Sequence, residues 1–73
     1  MKCGEAIKAA MKTDGLTQIK FAEKLGYKGQ AAVGNVLSRE NSMKVESLLK
    51  MAHAMGYDVV IRRGKEEIVV TEQ

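Results

Sequence analysis

The feature that most constrains this chain is a change of hydrophobic period near residue 56. Apolar side chains recur at helical spacing over residues 4–56, then alternate as in a strand over residues 57–71. In the first regime, Ala6, Ile7, Ala10 and Met11 fall on one helical face, with Lys8 and Lys12 on another. Asp14-Gly15 ends this helix, Gly15 being suited to a left-handed C-terminal cap. Thr17 is a good N-cap for a second helix, in which Phe21, Ala22 and Leu25 share a face until Gly26 closes it. Tyr27-Lys28-Gly29 reads as a short turn. A third helix is expected from about Gln30 to Ser38, with Val33, Val36 and Leu37 inward. Arg39-Glu40-Asn41-Ser42 is a polar loop. The fourth helix runs from Met43 or Lys44 to Met55, with Val45, Leu48, Leu49, Ala52 and Met55 as its apolar stripe and Gly56 as its terminator. Ser42 is the chemically sensible N-cap for it, although the apolar phase also fits a start one or two residues later.

The second regime predicts a β-hairpin. Tyr57 to Arg62 and Glu67 to Thr71 are rich in β-branched residues, and Arg63-Gly64-Lys65-Glu66 supplies a turn. Val59, Ile61, Ile68 and Val70 then form one apolar strip. An isolated hairpin is only marginally stable, so this one has to pack on the helices or on another chain. The expected fold is mainly α: a bundle of about four short helices with a C-terminal β-hairpin. The chain reads as a single domain over 1–73, with the bundle at 4–56 and the hairpin or tail at 57–73.

At 73 residues such a chain buries little surface. Its composition, 45% apolar and 29% charged, is that of a folded protein rather than a disordered one. The single cysteine, Cys3, cannot build an internal disulfide framework, which argues against an oxidising, secreted setting. The longest apolar runs, among them Val59-Val60-Ile61, have three residues, far too few to span a membrane, and Lys2, Glu5, Lys8 and Lys12 interrupt any secretory signal. A cytoplasmic location is therefore expected, with stability gained by oligomerising. Charge is uneven: residues 1–56 carry nine Lys and Arg against five Asp and Glu, whereas residues 57–73 carry three against four. A basic surplus on the helical part suits a polyanionic partner.

The stretch that carries function is Leu16 to Leu37, LTQIKFAEKLGYKGQAAVGNVL. Two short helices meet at a turn containing glycine, and small Ala22 sits where the helices must cross closely, the logic of a helix-turn-helix. Thr17-Gln18, then Ala22 four positions after the Gln and Gly26 eight positions after it, match a known spacing. The segment resembles the phage-repressor and Cro-like (XRE) family of helix-turn-helix DNA-binding domains. The resemblance covers about residues 4–56, and MGYDVVIRRG resembles the strand tail of small members. Two departures stand out. The turn Tyr27-Lys28-Gly29 looks one residue longer than the commonest form, which leaves the register of the recognition helix open by one position. Lys44 also stands where the family often has a capping Ser.

The resemblance implies a recognition helix at about 30–38 lying in the major groove of double-stranded DNA. Gln18, at a helix N-terminus, suits a phosphate contact. Gln30 carries an amide able to pair with adenine, Asn35 can pair likewise or meet phosphate, and Ala31 can touch a thymine methyl. Lys28, Ser38, Arg39, Asn41 and Lys44 lie in flanking loops and helix ends, where backbone contacts are expected. Each of these is also an ordinary solvent-facing residue type.

Other motifs explain less. Gly26-Tyr27-Lys28-Gly29 has the spacing of a KH-type GxxG loop, but no strand precedes it. Gly29 to Gly34 has P-loop glycine spacing, but Asn35-Val36 stands where Lys-Ser/Thr is required. His53 is the only histidine and falls mid-helix, Cys3 has no base beside it, and Met11, Met51 and Met55 read as core filler. No catalytic constellation, metal site or cofactor is expected. The leading expectation is a DNA-binding transcriptional regulator, a repressor acting as a homodimer on a two-fold operator, with Val59, Ile61, Ile68 and Val70 at the dimer interface. The alternative is an antitoxin or anti-repressor on the same fold whose main partner is another protein.

Overall fold

The computed structural model describes residues 1–39 and 42–72. Four helices, α1 (Cys3–Asp14), α2 (Gln18–Leu25), α3 (Gln30–Ser38) and α4 (Val45–Ala54), precede strands β1 (Val59–Arg63) and β2 (Glu66–Val70). The change of period at residue 56 is thus the boundary between the helices and the hairpin.

Local chemistry sets the helix ends. The Thr17 side chain accepts the backbone N–H of Lys20 at 3.2 Å, so α2 starts where a capping hydroxyl is available. Gly26 ends it in the left-handed region at φ 78°, where a side chain would be strained. The next N–H, of Tyr27, then reaches back to the carbonyl of Ala22 at 2.9 Å, and the chain turns towards α3. The start of α4 corrects the expectation placed on Ser42. The N-cap is Lys44, in extended backbone and with no side-chain capping bond. The Ser42 hydroxyl instead donates to the carbonyl of Arg39 at 3.0 Å, closing the turn after α3.

The core lies between the helices. Phe21, Val33 and Met51 are fully enclosed, and Ile7, Met11, Ala22, Leu25, Leu37 and Ala52 surround them. Ala22 is buried in the same cluster, where a larger side chain would overpack the core. Among the residues expected inward, Val45, Val36, Leu48 and Met55 are not enclosed, the last two being half-buried at the edge of the cluster. Val45 is 64% exposed, because it is the first residue of α4 and the core at that end is filled by Met43. Val36 is half-buried rather than enclosed, packing at the edge of the cluster.

β1 and β2 pair antiparallel with Val59 opposite Val70, Ile61 opposite Ile68 and Arg63 opposite Glu66. Gly64 and Lys65 form the connection, with Gly64 at φ 60°. Register therefore puts Val59, Ile61, Ile68 and Val70 on one face, as the alternation predicts. The strip is not uniform. Val59 packs against the helical core and Val70 is half-buried, whereas Ile61 and Ile68 are 63% and 65% exposed. The end of the chain returns to the bundle, where Glu72 Oε2 lies 2.7 Å from His53 Nδ1 on α4. His53 is thereby a tie between tail and bundle.

Candidate nucleic-acid interface

The two helices of the motif present their polar residues together. Val33 and Leu37 point α3 into the core, so the positions facing away from them are Ala31, Asn35 and Ser38, and all three are exposed. Gln30 is exposed at the helix's first residue, one turn before Gly34. Gln18 opens α2, and its side chain reaches α3: a Cβ built on Gly34 would lie 3.3 Å from Gln18 Oε1. The absence of a side chain at Gly34 therefore leaves the space in which the Gln18 amide rests. Gln18 thus meets α3 at Gly34, one turn after Gln30 and directly before Asn35, and Ser38 follows at the C-terminal end of the helix. The Ser38 hydroxyl donates to the carbonyl of Asn35 at 3.0 Å.

Cations flank this neighbourhood rather than enter it. Lys28 is exposed in the α2–α3 turn, Arg39 follows the last residue of α3, and Lys44 caps α4. Asn41 lies outside the described residues. The turn itself is anchored, because the Lys50 ammonium of α4 sits 5.0 Å from the centre of the Tyr27 ring. Within the turn Tyr27 is half-buried, while Lys28 and Gly29 stay exposed.

Two residues near this surface escaped the sequence reading. Gly34 matters only through the Gln18 side chain, a contact across two helices that spacing along one helix cannot reveal. Ile19, next to Gln18, is 56% exposed. Its signal was present as an apolar residue between Gln18 and Lys20, off the Phe21-Ala22-Leu25 face.

A second apolar surface lies elsewhere. A groove of about 550 Å³ runs between α1 and α4 beside the base of the hairpin, lined among others by Cys3, Ala6, Ala10, Leu48, Met55 and Val60. Its lining is largely apolar, with Thr13, Tyr57 and Asp58 as its polar residues.

Residues 7–61 match the family model described as helix-turn-helix. The chain belongs to the phage-repressor and Cro-like (XRE) helix-turn-helix family. This family is one of DNA-binding transcription regulators. Its matched span begins inside α1, includes α2, α3 and α4 and enters β1. Searches of curated proteins and of solved structures give no match. Among the described residues, no helix is long and apolar enough to cross a membrane.

Proposed function

We propose that this helix-turn-helix protein is a sequence-specific repressor that binds double-stranded DNA as a homodimer, with α3 in the major groove. The observation that carries the reading is the joint display of Gln18, Gln30, Ala31 and Asn35 across the α2–α3 crossing. Major-groove readout needs an exposed helix face with amides and small apolar groups, held rigidly by a second helix. Lys28, Arg39 and Lys44, with Ser38 and Asn41, are the proposed backbone contacts at the edges. The homodimer is supported by the exposed Ile61 and Ile68 strip, which a two-fold axis would bring against its own copy. Val59 and Val70, half-buried at the hairpin base, would join the interface only at its margin. Cytoplasmic residence follows from this reading.

The experiment that tests the reading is Gln30→Ala in a binding assay on the preferred site. Affinity for that site should fall by about 1–3 kcal/mol, with the preference relaxed at one base position. Unchanged preference would move the reading away from the first turn of α3. The flanking cations make a different prediction. Lys28→Ala and Arg39→Ala should weaken binding to all sequences alike, and each lost phosphate contact should lower the log–log salt slope by about 0.9. Slopes equal to the parent's in both variants would remove these two residues from the DNA contact.

The second reading, an antitoxin or anti-repressor bound to another protein, is favoured by the same exposed hairpin strip. An exposed apolar patch with open strand edges also suits a foreign chain. The two readings separate in solution, because only the first requires the purified protein alone to dimerise and select DNA.

A further inference from the structure

We propose that the half-site read by α3 is composed of A·T base pairs, recognised by a face of amides and methyl groups without charge. This rests on the DNA-binding reading above and specifies its ligand.

The major groove offers each base a different match. Guanine O6 and N7 are taken by Arg or Lys, and the cytosine amino group by Glu or Asp. α3, with the sequence QAAVGNVLS, contains none of these four residue types. It has therefore no side chain of the kind that best selects a G·C pair. What it exposes is complementary to the other pair. Gln30 and Asn35 each carry a carboxamide that can donate to adenine N7 and accept from its N6 amino group. Ala31, exposed between them, ends in a methyl group that suits the thymine C5-methyl.

The second helix adds to the same chemistry. Gln18 Oε1 occupies the space left open at Gly34, so a third carboxamide stands beside α3. A Cβ at Gly34 would press on that amide, which links the glycine to the position of Gln18. The Ser38 hydroxyl, bonded to the Asn35 carbonyl, fits either kind of base pair. Lys28 and Arg39 flank α3 in the chain, one before its first turn and one directly after its last residue, positions suited to phosphate contacts.

The test uses the full-length protein and a pool of random duplex DNA. The expected result is enrichment of sites whose α3-facing positions are A·T. Within an enriched site, replacing the A·T pair opposite Gln30 by G·C should weaken binding roughly 5- to 150-fold. Replacing thymine by deoxyuridine, which removes only the C5-methyl, should weaken it about fourfold at the position opposite Ala31, the value for one buried carbon. Asn35→Arg, at an exposed position that the core does not use, should shift the enriched base opposite it to guanine. Enrichment of G·C at the positions governed by Gln30 and Asn35 would overturn this inference while leaving DNA binding intact. So would retention of DNA without base preference, or deoxyuridine equal to thymine throughout. If no duplex is retained, the DNA-binding reading falls and this inference with it.

Discussion

Phe21→Ala should remove a large part of the protein's stability at 25 °C. Phe21 is fully enclosed on α2, among side chains from the other helices. Truncating a buried phenylalanine costs about 3–5 kcal/mol, through lost transfer energy and the cavity left behind. A chain of 73 residues has a total stability of only about 4–10 kcal/mol. Phe21 shares the core cluster with Val33 and Leu37 of α3, so the placement of the recognition surface would weaken with the fold. Urea unfolding followed by circular dichroism measures this. A midpoint near the parent's would mean that the bundle does not depend on the α2 contact, and the packing account would be wrong.

Changing Ile61 and Ile68 together to Ser should convert the proposed dimer to a monomer without unfolding it. Both side chains are mostly exposed within the protomer, so the cost to its own stability should stay within about 0.5 kcal/mol per site. Val59 and Val70, which pack nearer the bundle, are left in place. Binding to a palindromic operator should then weaken by about 10²–10⁴-fold, because the second half-site no longer benefits from a linked partner. Cutting the chain after Gly56 should give the same loss of dimer with a further loss of stability, since the contact of Val59 with the core goes as well. Sedimentation at micromolar concentration reads both variants. A variant that still sediments as a dimer and binds full operators normally would exclude the hairpin as the interface.

Much of this molecule is legible in its residues, and the reasons differ by element. Thr17 and Gly26 bound α2 because capping and left-handed backbone are local requirements, written in one or two residues. The hairpin register follows from alternation, since a slip of one residue would exchange its two faces. The start of α4 was harder to read. Neither Ser42 nor any other hydroxyl caps it, and the burial of Met43 places Val45 outside, an outcome decided by tertiary packing. The candidate site divides in the same way. Exposure of Ala31 and Asn35 follows from the phase of Val33 and Leu37 along one helix, whereas Gln30 shares their phase and is exposed because it opens the helix. The position of the Gln18 amide over Gly34 depends on how two helices cross, and no spacing along the chain encodes it directly.

The central claim is that the surface shared by α2 and α3 is the one that meets DNA. It is tested most directly by amide and side-chain NMR shifts of the full-length protein titrated with its preferred duplex. The account predicts the largest changes at Gln18, Gln30, Ala31 and Asn35, smaller ones at Lys28, Arg39 and Lys44, and little change along the α1–α4 groove at Ala6, Ala10 and Leu48. Changes concentrated in that groove or on the hairpin, with the side chains of Gln30 and Asn35 unmoved, would contradict it.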